Sequence, residues 1–331
     1  MMTAPHSSWR PLMLRTASIL LLALLPLAAQ VVKPSFGVTL QSELRESIRV
    51  LIIDGQNNHG WAATTKALKA TLEATGRFTV TVSTSPGKKG TKEAWAAWRP
   101  TFTDHQVVVG NYNGQPWPEP VNKAYLAFIE GGGGAVNVHA ANNSFADWKE
   151  WNRLIALGWR GPKFGDRVTV NDKTGAQLRT AKGKGPGAGH GRQHSFLVTV
   201  RAKAHPIMKG LPTWWKHAKD ELYHGQRGPG ENMQILSSAW SDPKSGGTGE
   251  HEPITWVVPH GKGNVVTTVL GHHWGGQKDF EALHCVGFQT VLARACEWAG
   301  TGTVTIPVPK GFPTDKATSI TTPSEIRWRA R

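Results

Sequence analysis

Apolar and polar positions fall into regular blocks along the first half of the chain. Arg49–Ile53 is a mainly apolar run that predicts a strand, and the polar turn Asp54–Gly60 follows it. The next stripe recurs at helical spacing on Trp61, Thr65, Leu68 and Leu72. Gly76 is expected to end this helix, because glycine commonly terminates helices. The first block is therefore a strand followed by a helix.

The same strand–helix block repeats as far as about Gly158. Further strands are predicted at Arg77–Val82, Gln106–Val109 and Ala135–Val138. Further helices are predicted from Val121 to Glu130 and from about Phe145 to Leu157. Strands that alternate with helices through short connections favour a mostly parallel, doubly wound sheet with helices on both faces. The predicted fold class is α/β.

The second half of the chain predicts four more strands and one long helix. The strands are Phe196–Val200, Met233–Leu236, Thr255–Val258 and Asn264–Leu270. The helix is Asp279–Ala299, whose apolar residues share one face. Residues 48–300 are therefore expected to form one domain. Within it, residues 161–194 are basic and glycine-rich and predict a solvated loop, and residues 301–331 form a proline-containing tail that is expected to lie extended on the surface.

The first 29 residues have the layout of a secretory signal peptide. Arg10 and Arg15 form a positively charged n-region, and the apolar segment Ile19–Ala29 is too short to span a bilayer comfortably. Cleavage near Gln30 leaves residues 30–47 as a linker and a mature protein in the periplasm or outside the cell. Leu27 is a mediocre residue at the −3 position of the cut, so an uncleaved N-terminal anchor is the alternative.

The charge balance is strongly basic. Thirty-eight Lys and Arg oppose 23 Asp and Glu, for a net charge of +15 that becomes +13 once Arg10 and Arg15 are removed with the signal peptide. A balance of this size often indicates nucleic-acid binding, but export argues against that partner. Attraction to anionic glycans or envelope polymers is one interpretation, and a merely soluble basic surface is the other.

The two cysteines, Cys285 and Cys296, are expected to be unpaired core residues. They are eleven residues apart in one predicted helix, which separates them by roughly 16 Å along its axis. A disulfide needs Cα atoms within about 7 Å of each other. The fold is therefore expected to be held by packing.

Four histidines stand at or just after the ends of predicted strands. His59 follows the first strand, His139 closes Ala135–Val138, and His272 and His273 follow Asn264–Leu270. Ligands bind at the carboxyl edge of open α/β sheets, where residues from distant segments converge. Imidazole is also the side chain best suited to proton transfer near neutral pH and the commonest metal ligand. The pattern predicts a shared site.

His139 lies where a strand turns sharply into the next element, in the segment Gly132–Ala141. Class I glutamine amidotransferases carry their catalytic cysteine at such an elbow. With histidine there and alanines after it, no thiol is available as a nucleophile. We therefore expect no glutaminase activity.

Six short motifs follow one another in an order that resembles the ThuA-like (trehalose-utilisation) family. They are Asp54–Trp61, His205-Pro206-Ile207 with Gly210-Leu211-Pro212, Asp220–Tyr223, Arg227–Met233, Gly261-Lys262-Gly263 and Leu270-Gly271-His272. The resemblance spans about Ile48 to Gly300. It implies a class I glutamine amidotransferase-like (flavodoxin-like) fold, a role in the catabolism of trehalose and related sugars, and metal binding in some members.

The expected site combines three sets of residues. The catalytic set is His139, Glu221 and His272; the substrate-binding set is Trp61, Tyr223 and Trp274; and the metal-binding set is His59, His139, His224 and His272. Three imidazoles, or two with a carboxylate, leave Zn²⁺ an open position where bound water ionises near pH 7. The dense motif His-Glu-x-x-His is not present. Metal-free acid–base chemistry by histidine and Glu221 is therefore an equal hypothesis.

The aromatic content suits a sugar ligand. The chain has fifteen tryptophans and three tyrosines, and flat indole rings offer apolar platforms for the C–H faces of sugars. The leading hypothesis is a sugar-modifying enzyme of hydrolase, lyase or isomerase type whose partner is a small carbohydrate or glycan, with no nucleic acid and no membrane after signal cleavage. The alternative is a non-catalytic glycan-binding protein of the cell envelope. An enzyme should bury its histidines in a closed pocket, whereas a binder should expose them beside a tryptophan-lined groove.

Overall fold

The strand β1 shows how this chain builds a two-faced sheet. In the computed structural model, which describes residues 46–328, Val50 and Ile52 point into one apolar cluster, and Leu51 and Ile53 point into another. Successive side chains of a strand face opposite ways, so an apolar run of this kind is buried on both faces. The helices α1 and α6 cover the first face, and α3 and α4 cover the second.

The secondary structure follows this order. The strands are β1 Ile48–Asp54, β2 Phe78–Thr84, β3 Val107–Gly110, β4 Gly134–Val138, β5 Asp166–Val170, β6 Gln177–Thr180, β7 Gly189–His190, β8 His194–Val200, β9 Trp214–Asp220, β10 Tyr223–His224, β11 Arg227–Gly228, β12 Gln234–Trp240, β13 His251–His260 and β14 Gly263–Thr268. The helices are α1 Trp61–Ala74, α2 Lys92–Ala97, α3 Glu119–Glu130, α4 Lys149–Ile155, α5 Glu281–His284 and α6 Val286–Thr301, with short 3₁₀ turns at Phe102–Asp104, His139–Asn143, Pro243–Ser245 and Pro323–Glu325.

The main sheet has a parallel part and an antiparallel part. Its strand order is β2-β1-β3-β4-β14-β13-β12-β8-β9, and the first five strands are mutually parallel. The direction reverses at β13, because β13 and β14 are joined by a two-residue turn between the paired residues His260 and Gly263. Gly261 in that turn has φ +58° and lies against the backbone of Glu130, so a side chain there would collide. The α/β prediction is confirmed, and the antiparallel extension is an addition that the strand–helix pattern did not predict.

The basic segment 161–194 differs from the solvated loop expected for it. It contains the hairpin β5–β6, and β5 also pairs with β11 and β13. Val168 and Val170 on β5 belong to the main core. Arg167, the residue before Val168 on β5, is buried in ion pairs with Glu250 and Glu252. The sequence did not predict this strand, because apolar and polar residues alternate over only five positions and Lys and Gly lie on both sides of them.

The C-terminal part is also more ordered than a surface tail. The predicted helix Asp279–Ala299 is interrupted at Cys285, which caps α6. Beyond α6 the chain is extended, but Ile306, Ile326 and Trp328 are buried in the core. The N–H of Lys216 on the edge strand β9 donates to the carbonyl of Thr314. The tail thereby protects part of an edge that could otherwise pair with another chain.

The expected signal peptide and most of the expected linker lie outside the described residues. The described residues, 46–328, form one unit. Between residues 46 and 328, no helix is long and apolar enough to cross a membrane.

Candidate metal centre

Four chain segments meet at the carboxyl edge of the parallel strands. His59 lies in the turn after β1, His139 directly follows β4, and His272 lies four residues beyond β14. Glu221 is in the turn between β9 and β10. The prediction that the three histidines converge is confirmed, because their ring centroids are 4.8 to 5.3 Å apart.

The Glu221 carboxylate lies at the centre of these imidazoles. Its Oε2 is 3.7 Å from Nε2 of His59 and 3.6 Å from Nε2 of His139. Its Oε1 is 3.3 Å from Nε2 of His272. One ligand atom from each of the four residues lies within 4.8 Å of all the others, and all four residues are buried.

The Nε2 atoms of the three histidines share one property that points to a metal. Each is buried and has no hydrogen-bond partner within the described part of the chain. A buried polar atom without a partner costs free energy, so it requires an explanation. Three neutral imidazoles and a carboxylate form a donor set suited to Zn²⁺ and other first-row divalent metals. The residues present therefore fit a divalent cation.

The opposite ring nitrogens are held by other groups. Nδ1 of His139 is 2.6 Å from the carbonyl of Val269, and Nδ1 of His59 is 3.2 Å from Oδ1 of Asn57. In both contacts the ring N–H donates to oxygen, which leaves Nε2 as the lone-pair atom. Nδ1 of His272 lies 3.2 Å from the amide Nε2 of Gln193. Contacts like those of His139 and His59, in which the ring N–H donates to oxygen, orient metal-binding imidazoles in other proteins.

The backbone of His139 is strained. Its φ is +48°, in the left-handed region that only glycine adopts freely. The strain exists because the chain reverses abruptly from β4 into the 3₁₀ turn His139–Asn143. This is the elbow that the sequence predicted, and it directs the imidazole into the cluster.

The burial of the site fixes its charge state. Burial lowers the pKa of His59, and it lowers the pKa of His272 to about 3, with the neighbouring His139 adding to the effect. Burial alone would raise the pKa of Glu221, but the adjacent imidazoles of His139 and His59 outweigh it, and the pKa falls well below its usual range. Near neutral pH, His59 and His272 are neutral and Glu221 is ionised, which are the states that bind a metal.

Aromatic rings form two walls of the site. Trp274 stacks on His59 with centroids 4.6 Å apart and is 41% exposed. Tyr223 is buried, with its ring 4.3 Å from that of His139 and 4.5 Å from that of Trp159. Burial raises the pKa of Tyr223 further above its usual value, so its hydroxyl stays protonated. His190, which is partly exposed, places Nε2 3.6 Å from Glu221 Oε1.

Comparison with known proteins identifies the family. Residues 49–299 match the family model described as ThuA, trehalose utilisation. The chain belongs to the ThuA family. A crystal structure of a ThuA-like protein from Parabacteroides merdae ATCC 43184 is 42% identical, with a TM-score of 0.79, and the match covers 84% of this chain and 99% of that one. The fold of this ThuA chain is accordingly α/β, of the class I glutamine amidotransferase-like kind.

More distant structures were also found. A ThuA-like protein from Bacteroides uniformis ATCC 8492 is 17% identical with a TM-score of 0.49, covering 78% of this chain and 93% of that one. The glutaminase domain of Trypanosoma brucei CTPS is 9% identical with a TM-score of 0.39, covering 82% and 99%. None of the curated proteins matches the chain.

The structure brings together most of the residues expected in this ThuA site, but not all. His59, His139, Glu221 and His272 form the cluster, with Tyr223 and Trp274 beside it. His224, expected among the metal ligands, lies outside the cluster, with its Nδ1 3.3 Å from Oγ of Ser241. Trp61 begins α1, where its carbonyl accepts a hydrogen bond from Asn111. It is not among the described residues whose rings contact the cluster.

Three residues at the site were not expected there. His190 and Gln193 belong to the glycine-rich segment 161–194, where no periodic pattern indicates the direction of a side chain. His217 lies on β9 and is fully buried, with Nε2 2.7 Å from Oδ2 of Asp220. Although burial opposes a charge on it, Cys285 and Asp220 raise the pKa of His217 to about 10. The i, i+3 spacing of His217 and Asp220 does not predict this pair, because residues three apart in a strand normally point to opposite faces.

Proposed function

We propose that this ThuA-like protein is a metal-dependent, sugar-modifying enzyme. The observation that carries the proposal is the set of three buried, unpartnered Nε2 atoms around one ionised carboxylate. His59, His139, His272 and Glu221 would hold the cation, with zinc as the first candidate. When bound, a divalent metal supplies a Lewis acid that polarises an oxygen of the substrate or lowers the pKa of a water.

The other residues of the site supply binding and proton transfer. His190 is 33% exposed at the side chain, close to Glu221, and can exchange protons with solvent as a general acid or base. Tyr223 keeps its proton and can donate a hydrogen bond to a substrate oxygen. Trp274 presents one half-exposed indole face beside His59 on which a sugar ring can stack. A hydrolase, lyase or isomerase reaction would use these functions.

The proposed substrate class is carbohydrate. The family description names trehalose utilisation, and the aromatic walls are of the kind that binds sugar rings. A non-catalytic glycan-binding protein remains the second hypothesis. The burial of His59, His139 and His272 favours the enzyme, because a binder has no need to withdraw three imidazoles from solvent.

Metal analysis tests the proposal directly. Purified protein, dialysed against Zn²⁺, Mn²⁺ or Ni²⁺ and then desalted, should retain about one ion per chain. Glu221→Gln and His272→Ala should retain far less. His224→Gln is the matched control, because it alters a buried histidine outside the cluster and should retain the full amount. If the native protein holds no divalent ion, or if His224→Gln loses the ion as completely as His272→Ala, the proposal is wrong.

Metal-loaded and metal-depleted protein are then compared on a panel of disaccharides and simple glycosides. An enzyme should convert at least one of them only when loaded. Binding without conversion, unchanged by metal removal, would favour the glycan-binding alternative.

We further propose that the chain is exported and works in the periplasm or outside the cell. The support is the positive, then apolar, layout of residues 1–29. The test is N-terminal sequencing of protein recovered from a secretion-competent host. A mature terminus near Gln30 is expected, and an intact Met1 in the membrane fraction would indicate an uncleaved anchor.

A further inference from the structure

Two tryptophans stand half exposed in one groove on the antiparallel part of the sheet. Trp214 at the start of β9 is 54% exposed, and Trp240 at the end of β12 is 47% exposed. Leu197 on β8, also exposed, lines the same cavity of about 350 Å³. Single exposed apolar side chains are ordinary, but several gathered in one cavity indicate a binding surface.

Strand register places these side chains on one face. β8 lies between β12 and β9, and Thr199 of β8 is opposite both Trp214 and Ser238. Directly paired residues point to the same side of a sheet, and so do residues two apart on one strand. Trp240 is two residues beyond Ser238, so it faces the same way as Trp214. The strand spacing puts the Cα atoms of the two tryptophans about 12 Å apart.

The polar groups of the groove are acidic and neutral. Asp172, Asp242, His194 and His251 line it, together with Ser195 and Thr199. Asp172 is held in place, because its Oδ1 lies 3.0 Å from Nη2 of Arg201 and 3.0 Å from Nε2 of His251. No lysine or arginine is among the described residues that line the groove. In a chain with a net charge of +15, a groove wall that carries two carboxylates, with the neighbouring Arg201 already paired with Asp172, argues against a polyanionic ligand.

We propose that this groove, which we call the Trp214–Trp240 groove, binds a neutral oligosaccharide. Indole rings stack on the C–H faces of sugar rings. Carboxylates accept hydrogen bonds from sugar hydroxyls, and imidazoles can donate to them or accept from them. The two indole rings are separated by polar side chains. This arrangement matches an oligosaccharide, whose sugar rings have apolar faces and hydroxyl groups at their edges. An anionic glycan would meet two carboxylates, and the guanidinium beside them, that of Arg201, is already paired with Asp172. The groove shares no residue with the metal-binding cluster, so this inference stands without the proposed chemistry there.

The groove is linked to the metal centre along the chain. Gln193 contacts His272, and the next residue, His194, begins β8 and lines the groove. A polysaccharide that binds in the groove would therefore be held close to the candidate metal centre of the same protein molecule. Such tethering raises the effective concentration of the reacting unit.

Calorimetric titration tests this inference. The probes are cellohexaose, maltohexaose, xylohexaose and mannohexaose, with heparin as an anionic polymer. At least one neutral hexasaccharide should bind, and Trp214→Ala and Trp240→Ala should each weaken it about tenfold or more. Leu178→Ala is the control, because Leu178 is an equally exposed apolar residue that does not line the groove. Glu221→Gln should leave this binding unchanged, which separates the groove from the metal centre.

Four results would overturn the inference. The first is that none of the neutral hexasaccharides binds the native protein, and the second is that binding is lost in Glu221→Gln but kept in both tryptophan variants. The third is that heparin is the ligand that the tryptophan variants lose. The fourth is that sedimentation shows a native dimer that Trp240→Ala converts to monomer. The last result would identify the groove as an interface between two copies. Far-UV circular dichroism and a melting temperature that match the native protein show that both tryptophan variants are folded.

Discussion

The carboxylate of Asp220 accepts a hydrogen bond from the backbone N–H of Gly271 at 2.8 Å. It also accepts the N–H of His272 at 3.2 Å, and His217 Nε2 lies 2.7 Å from it on the other side. Asp220 adjoins Glu221, and Gly271 precedes His272, so one buried carboxylate joins the two segments that carry these site residues. Gly271 itself has φ +99°, and a Cβ at this position would collide with the ring of Phe288, so the turn requires glycine. Asp220 is therefore a positioning residue of the candidate metal centre.

Asp220→Asn should weaken metal binding about 10- to 100-fold while all four cluster residues remain. The neutral amide loses the charge that holds His217, and its amino group would oppose the N–H of Gly271 or His272. The measurement is competition for Zn²⁺ against a chelator of known affinity, made on folded protein. Glu297→Gln is the control, because Glu297 is also buried and accepts the backbone N–H groups of Thr305 and Ile306, far along the chain from the cluster. It should lose stability but not affinity for the metal. Equal affinity in Asp220→Asn and native protein would contradict the positioning role.

The left-handed backbone of His139 gives a prediction about stability. Both His139→Ala and His139→Gly remove the imidazole, but only glycine adopts φ +48° without strain. The glycine variant should therefore be more stable than the alanine variant by about 1 kcal/mol, although glycine is normally the less stable choice. Urea unfolding of the two metal-free variants measures the difference. A more stable alanine variant would mean that the elbow relaxes when the histidine is removed.

The strand-end histidines could be predicted because parallel strands place their carboxyl ends at one edge whatever the details of packing. That argument covers His59, His139 and His272, since β1, β4 and β14 are all parallel. It does not cover Glu221, whose position depends on β9, the last strand of the antiparallel part. The position of β9 results from its pairing with β8 and from its contact with the C-terminal tail. No local sequence pattern predicts either contact.

The buried strand β5 shows a second limit of sequence reasoning. Its five residues carry Asp166 and Arg167 beside the apolar Val168 and Val170, within a glycine- and lysine-rich segment. Arg167 is compatible with burial only because Glu250 and Glu252 meet it from a distant part of the chain. The same segment also delivers His190 to the metal centre, which its composition alone did not indicate.

Trp274→Ala should impair sugar binding without removing the metal. The ring covers His59 but offers no ligand atom, and its other face is open to solvent. Loss of one stacking platform is expected to raise the KM or Kd of a saccharide substrate several-fold, by about 1 kcal/mol. Metal retention should equal that of the native protein. Loss of the metal in this variant would show instead that Trp274 is needed to shield the cluster from water.

His205 provides a test of pH dependence away from the metal centre. Its ring is packed edge-on to Trp298 with centroids 4.5 Å apart, and its Nδ1 accepts the N–H of Ile207 at 3.3 Å. Burial lowers the pKa of His205 to about 4 from an ordinary value of 6.5. Because the unfolded chain takes up this proton first, the stability associated with the neutral ring is complete above about pH 6.5 and decreases as the pH falls towards 4. Below pH 4 both states are protonated and the decrease stops.

His205→Gln should remove that decrease, since a glutamine oxygen can still accept the N–H of Ile207 but does not titrate. Because the ring is partly exposed, we expect the free energy of unfolding of the native protein to fall by about 1–2 kcal/mol more than that of the variant between pH 7 and pH 4. Urea unfolding at both pH values, with a chelator present so that acid release of metal plays no part, measures the difference. Parallel pH profiles for native protein and His205→Gln would show that the ring is protonated equally easily in the folded and unfolded chains.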